Sequence, residues 1–180
     1  IRDGMTRDNV LGLEAVLADG TVLSNLGKMV KNNTGYDLRH LFAGSEGTLG
    51  VITSAVFRLR ALPRATATAL CALATYADVL ALLALARADL PGLSAYEAMW
   101  HDYFVLNQSL AGLRLFSDVP AFSVIIEAQS DAPALEAFLE RAFEAGLIAD
   151  ALIAQNESEA RDFWTVREGH AMDAHLPGLI

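Results

Sequence analysis

An α+β fold, with helices layered on one face of a mainly antiparallel sheet, is what these 180 residues predict. Three observations lead there. Short runs of β-type residues alternate with helical patterns along the chain. Clusters of Asn, Asp, Gly and Pro punctuate those runs at turn-like intervals. A hydrophobic fraction of 53% against 19% charged residues supplies a packed core and excludes intrinsic disorder.

Val10 to Leu17 reads as a strand, and Asp19-Gly20 leads it through a hairpin into Thr21-Val22-Leu23. A polar stretch from Lys28 to Tyr36 follows, with Asn32-Asn33-Thr34-Gly35 as a turn. Asp37 is placed to cap a short helix, Leu38 to Phe42, that ends at Gly44. The segment Gly44-Ser45-Glu46-Gly47-Thr48-Leu49-Gly50 then feeds a strand over Val51 to Leu59.

Pro63 marks a boundary, which divides the chain into 1–62 and 63–180. Beyond it come a strand over Ala67 to Thr75 and a helix from Ala77 to Ala88, stopped by Asp89-Leu90-Pro91-Gly92. Leu93 to Trp100 is a second strand, His101 to Leu110 a helix, and Phe122 to Ala128 a third strand. Asp131 to Ala145 is an amphipathic helix with Leu135, Phe138, Leu139, Ala142 and Phe143 on one stripe. A last strand covers Ala151 to Ala154, and Ser158 is placed to cap a final helix that runs to about His175. Trp100, Trp164, Phe122 and Phe138 read as core, and Asp102 as a helix cap.

Charge and composition narrow the function. The net charge is −9, and the one basic cluster (Lys28, Lys31, Arg39) is small and interrupted, which argues against nucleic acid. The longest apolar run, Val79 to Ala86, is far short of the roughly 18 residues of a membrane span. The lone Cys71 reads as a buried strand thiol. It fits a reducing compartment, and with no leader pattern at the start a cytoplasmic location is expected. The chain opens on Ile1 and stops after a helical pattern, so it reads as a piece of a longer protein.

Most motifs that carry chemistry are missing from the sequence. It has no GxGxxG, no phosphate loop ending in GK[ST], no CxxC pair and no HExxH. His170 and His175 do not share a helix face and read as solvent-facing or helix-end residues. Ser45 stands in GSEG, not GxSxG, so it is no nucleophile elbow. What remains is the glycine loop Gly44–Gly50. Taken alone, it has two readings: a backbone stripped of Cβ for close approach to a flat or phosphorylated ligand, or a tight turn between helix and strand.

Neighbouring motifs taken together add a family. The ordered series GMTRDNVLGLE (4–14), LADGT (17–21), NTGYDL (33–38) and LFAGSEGTLGVIT (41–53) resembles the FAD-linked oxidases and dehydrogenases of the vanillyl-alcohol oxidase type. It is most similar to the branch that holds D-lactate dehydrogenase, D-2-hydroxyglutarate dehydrogenase and the glycolate oxidase FAD subunit. The likeness is dense over residues 4–63 and looser over 64–180, where LSAYEAMW (93–100) and FWTVREG (163–169) stand in the expected order.

The resemblance implies that residues 1–62 are the C-terminal part of an FAD-binding domain and 63–180 the start of a ferredoxin-like layered substrate (cap) domain. It implies FAD alongside Glu46, Gly47, Gly50, Val51 and Ile52, with the 33–37 turn bracing that loop. Arg7-Asp8 reads either as a second brace or as an ion pair at the base of the hairpin, the latter preferred.

Arg167, in the Trp-x-x-Arg-Glu pattern, is implied to reach the substrate carboxylate. The plain alternative pairs it with Glu168 or Asp162 on an exposed helix. Some members place a substrate-touching threonine four residues later, where this chain has Ala171. Glu97 and His101-Asp102 follow a strand and are placed to face a cleft.

The implied activity is oxidation of a 2-hydroxy acid (D-lactate, D-2-hydroxyglutarate or glycolate) by hydride transfer to flavin. The electron acceptor is unspecified, and a homodimer is compatible with it. The family's main pyrophosphate loop, its metal-binding histidines for a divalent ion and its general base fall outside this chain. No catalytic or metal residue is therefore assigned here, and the piece alone is expected to be inactive. Two other classes stay in view: a non-catalytic α+β interaction or dimerisation module, and a flavin transferase like alkyl-glycerone-phosphate synthase.

Overall fold

The computed structural model describes residues 4–29, 35–170 and 172. The chain forms two compact units that divide between Leu62 and Pro63. Among the described residues no helix is long and apolar enough to cross a membrane.

The first unit holds α1 (Thr6–Asn9), β1 (Val10–Val16), β2 (Val22–Asn25), α2 (Arg39–Phe42) and β3 (Val51–Phe57). Its three strands are antiparallel in the order β2-β1-β3. Asp19 builds the hairpin turn by accepting the Thr21 amide at 2.9 Å, and Gly20 takes φ +86° between them. That bond, followed by one from the Thr21 side chain, holds the Asp19 carboxyl below its ordinary range.

Two bulges interrupt the β1–β3 ladder, at Leu11 and at Thr53. They shift the side-chain alternation so that Val10, Leu13 and Ala15 share a face with Ile52, Ala55 and Phe57 across the ladder. Val10, Leu13, Ala15 and Phe42 form the small core of this unit. The expected Arg7–Asp8 ion pair does not form. Asp8 turns back within α1 and accepts the Met5 amide at 3.2 Å, which satisfies a helix-start N–H instead.

The second unit holds β4 (Ala67–Leu73), α3 (Tyr76–Asp89), β5 (Leu93–Trp100), α4 (His101–Leu110), β6 (Phe122–Ala128), α5 (Ala132–Glu144), β7 (Asp150–Ile153) and α6 (Glu157–Glu168). The sheet is wholly antiparallel, in the order β5-β6-β4-β7. Leaving α4 aside, β4-α3-β5-β6-α5-β7 in that order is the ferredoxin-like arrangement.

The expectation of helices on one face is corrected. Every residue of β4 is buried. Ala67, Ala69, Cys71 and Leu73 pack under α3 and α5 with Leu82, Leu135 and Phe138. Leu70 and Ala72 face the other way, against Phe104 of α4 and Phe163 and Val166 of α6. A strand read as ATALCAL lacks the polar alternation of a half-solvated sheet, and the adjacent Ile125 and Ile126 of β6, both fully buried, say the same. The sheet is the middle of three layers.

Helix starts follow capping chemistry. Thr75 and Asp78 make a reciprocal capping box at α3, and Asp131 accepts the Ala134 amide at α5. At α6 the cap is Asn156, whose Oδ1 accepts from Ser158 and Glu159, both at 3.0 Å. Ser158, expected as the cap, lies inside the first turn. α6 ends at Glu168 on left-handed Gly169, His170 and Met172 are helical again beyond it, and the expected end near His175 lies outside the described residues. Asp102 sits in the first turn of α4 and makes no cap bond, since the N-cap position is Trp100. Nor is Trp100 core: it is 57% exposed, stacks with Tyr76 and meets Phe122 edge-to-face in a surface aromatic group.

Cys71, with no exposed surface, has its thiol pushed up to about 12 by burial. An unfolded thiol titrates near 9.0, so below that pH both states keep the proton and the native state's advantage is complete. Above it the unfolded chain releases the proton first, and stability is lost as pH climbs toward the folded value. We expect the urea midpoint to fall between pH 9 and 11, and to fall less steeply in Cys71→Ala. Equal slopes in the two proteins would remove Cys71 from this account.

Candidate functional site

The residues singled out in the sequence fall in two places, one in each unit. The first begins at α2. Asp37 accepts the Arg39 backbone amide at 3.2 Å and its Nε at 2.7 Å, and also pairs with Nη2. Arg39 Nη1 reaches across to donate to the Leu11 carbonyl at 2.6 Å and the Val10 carbonyl at 3.3 Å. The guanidinium bond holds the Asp37 carboxyl below its ordinary range. Arg39 is therefore no free surface cation of a basic cluster. It ties α2 to β1 and sets where the glycine loop starts. Of the turn expected to brace that loop, Asp37 takes part in this clamp, while Asn33 and Thr34 lie outside the described residues.

The loop itself is tightly turned. Gly44 (φ +95°), Glu46 (φ +52°) and Gly47 (φ +79°) are left-handed, and Thr48 closes the turn through both its amide and its hydroxyl onto the Ser45 carbonyl. The reason for Gly50 is internal. A Cβ there would stand 2.7 Å from the Val16 carbonyl and 3.3 Å from the Phe42 ring, so only glycine lets the loop pass β1.

β3 then runs along the sheet edge with all but Val56 exposed. Ile52, Ala55 and Phe57 floor an apolar trough of about 560 Å³, whose walls include Met5, Arg7, Val10, Leu13 and Gly44. Of the five residues expected along a cofactor, Ile52 lines this trough. Val51, one residue earlier, is 65% exposed and does not line it. Glu46 and Gly47 are exposed in the loop, and Gly50 is half-buried against β1. Loop and strand are open to solvent.

The second place is the C-terminal end of α6. Arg167 pairs with neither Glu168 nor Asp162. Its Nε lies 3.0 Å and its Nη2 2.8 Å from the same oxygen, Oε2, of Glu97 on β5. Glu97 thus takes the Arg167 guanidinium, whereas His101 turns its Nδ1 to the Pro120 carbonyl at 3.0 Å.

The helix end is fixed from α4. Tyr103 donates its hydroxyl to the Arg167 carbonyl at 2.8 Å, which satisfies one of the helix's orphan acceptors. Gly169 (φ +67°) leaves no room for a side chain, since a Cβ would lie 2.7 Å from the Tyr103 hydroxyl. Glu127 was not singled out in the sequence. It accepts Trp164 Nε1 at 3.2 Å and Ser94 Oγ at 3.1 Å, beside a cleft of about 580 Å³ that Trp164, Arg161 and Glu168 also line. Arg167 does not line that cleft. Ala171 lies outside the described residues.

The geometry defines an α+β protein: a ferredoxin-like unit, preceded in the chain by an open glycine loop and an apolar edge strand. The chain belongs to the FAD linked oxidases, whose C-terminal domain matches residues 62–177. Relatives agree. A rice protein named "Probable D-2-hydroxyglutarate dehydrogenase, mitochondrial" is 43% identical, and the D-2-hydroxyglutarate dehydrogenases of Arabidopsis thaliana and Bos taurus, both named mitochondrial, are 41% and 39% identical. These alignments cover 94%, 94% and 93% of this chain and 32% of each relative. The chain therefore spans about a third of their length.

Among solved structures, an alkyldihydroxyacetonephosphate synthase is similar with a TM-score of 0.58 at 18% identity, over 91% of this chain and 33% of that one. p-Cresol methylhydroxylase is similar with a TM-score of 0.56 at 13% identity, over 89% and 39%. At these identities the likeness is one of fold. The relatives' mitochondrial names overturn the expected cytoplasmic location. Compartment is written in a leader, and a lone buried thiol suits any reducing compartment.

Gly169→Ala tests the α4–α6 approach, with Gly146→Ala as its control. Both glycines are left-handed, but nothing lies within 4 Å of a Cβ at Gly146. The control is expected to lose about 1 kcal/mol in urea unfolding from backbone strain alone. Gly169→Ala should lose more, and Tyr103→Phe in its background should recover part of the excess. Equal losses at the two glycines would show that no steric conflict exists at Gly169.

Proposed function

We propose that this chain is part of an FAD-dependent dehydrogenase that oxidises a 2-hydroxy acid of D configuration. Residues 1–62 are read as the C-terminal part of its FAD-binding domain and 63–180 as the beginning of its substrate domain. The observation that carries the reading is the open course of Gly44 to Phe57. An exposed apolar edge strand marks a surface that a ligand or another surface covers, and the trough floored by Ile52, Ala55 and Phe57 offers an apolar bed.

The residues present fit a flavin dinucleotide. Ile52 and Ala55 offer an apolar floor for a planar ring system, while Glu46 and Gly47 leave exposed backbone in the left-handed turn. The relatives' shared name adds the substrate class. Bound FAD would supply the hydride acceptor for the substrate α-hydrogen.

Arg167 binds the substrate in this reading. Its guanidinium is 40% exposed at the side chain, always charged, and shaped to meet a carboxylate with two parallel donors. Anchoring the carboxylate fixes the carbon that bears the hydroxyl and its hydrogen, so recognition and orientation come from one contact.

The full-length protein is expected to be yellow and to bleach anaerobically with D-2-hydroxyglutarate or D-lactate but not with the L isomers. Bleaching by neither acid would sink the assignment. Arg167→Met removes a charged hydrogen-bond pair worth about 1.5–3 kcal/mol, so KM should rise roughly ten- to hundredfold with FAD retained. The 180-residue chain alone is expected to show no turnover.

A further inference from the structure

Arg167 is held in an unusual way for a simple ion pair. Both Nε and Nη2 converge on one oxygen of Glu97, at 3.0 and 2.8 Å. Among the described residues, Glu97 Oε1 and Arg167 Nη1 make no hydrogen bond. A guanidinium has two edges suited to bidentate carboxylate binding, Nε–Nη2 and Nη1–Nη2. Glu97 occupies the first and leaves the second.

Both supports of this pair are firm. Glu97 sits within β5, opposite fully buried Ile125 of β6, and its side chain is 29% exposed. Arg167 comes from the last turn of α6, whose backbone the Tyr103 hydroxyl pins at the Arg167 carbonyl. Glu127, on the same face of the sheet, takes Trp164 and Ser94 instead. The ion pair favours one orientation of the long arginine side chain before any ligand arrives, which lowers the entropic cost of ordering it on binding.

We propose that Glu97 is the positioning residue of the Arg167 site: it grips the Nε edge of the guanidinium and turns the Nη1–Nη2 edge to the carboxylate of a 2-hydroxy acid. This rests on the reading of Arg167 given above. Glu97 touches neither substrate nor cofactor in this arrangement and acts only through Arg167. What it supplies is geometry and not charge, because a second carboxylate beside the same cation weakens the cation's pull on a substrate anion. Glutamine at this position keeps an acceptor oxygen and removes that opposing charge.

Steady-state kinetics of the FAD-loaded full-length protein with D-2-hydroxyglutarate, and in parallel with D-lactate, test this. Glu97→Ala should raise KM at least tenfold while kcat stays within threefold, and Glu97→Gln should restore KM to within threefold of the parent. Glu97→Ala added to Arg167→Met should change KM no further. If Glu97→Ala loses FAD, Glu97→Asp replaces it. That variant withdraws the oxygen by one carbon–carbon bond and should raise KM at least threefold.

An unchanged KM in Glu97→Ala, where Arg167→Met does raise it, would leave the pair merely structural and overturn the proposal alone. A lowered KM in both Glu97→Ala and Glu97→Gln would make Glu97 a competitor for the arginine and overturn it too. If Arg167→Met leaves KM unchanged, the carboxylate role of Arg167 fails first and this inference with it.

Discussion

The second unit depends on β4. Seven consecutive residues, Ala67 to Leu73, have no face toward water, so the strand requires a neighbour on each edge and a helical layer on each side. β6 and β7 supply the edges. α3 and α5 cover one face and α4 and α6 the other. Burial at roughly 25 cal/mol per Å² makes this the dominant favourable contribution, and it is also the placing one. Val166 of α6 is fully buried beneath the sheet, and Arg167 is its neighbour in sequence. The position of the arginine is a by-product of hydrophobic packing one residue away.

Local chemistry made much of this legible. The bounds of β5, α4 and β6 follow from the residue pattern, because turn residues or abrupt changes of period flank each of them. The second helical layer was less accessible, although its signal was present: ATALCAL and the Ile125-Ile126 pair are apolar on both sides of the pleat. The bulges at Leu11 and Thr53 left no mark in the sequence, since Leu and Thr are ordinary strand residues. They decide nonetheless that Ile52 and not Val51 floors the trough. The α6 cap shows how close rivals can be. Asn156 and Ser158 are both good capping residues two positions apart, and the strand end at Ile153 settles which begins the helix.

Of the candidate sites, family likeness singled out Arg167 and the Glu46–Ile52 segment, but it could not give their surroundings. Glu97 and Arg167 are separated by 70 positions, and their contact exists only because α6 packs on the sheet face that carries Glu97. Gly50 has a packing reason of its own to be small, which the glycine spacing did not reveal: a Cβ there would meet the Val16 carbonyl of the sheet. Arg39 was similarly disguised. Counted with Lys28 as surface charge, it is a crosslink between α2 and the β1 backbone.

Charge explains why a local arrangement of this kind matters. The chain carries a net charge of −9, so its mean field repels the 2-hydroxy acid anion it is proposed to bind. Screening over roughly 8 Å at physiological salt removes most of that repulsion at a distance, leaving recognition to groups in contact. A single guanidinium must then do the selecting. A freely rotating arginine would spend much of its binding energy on being ordered, and one clamped on both edges would have nothing to offer. Held at its Nε edge by Glu97 and through its backbone by Tyr103, Arg167 lies between these extremes.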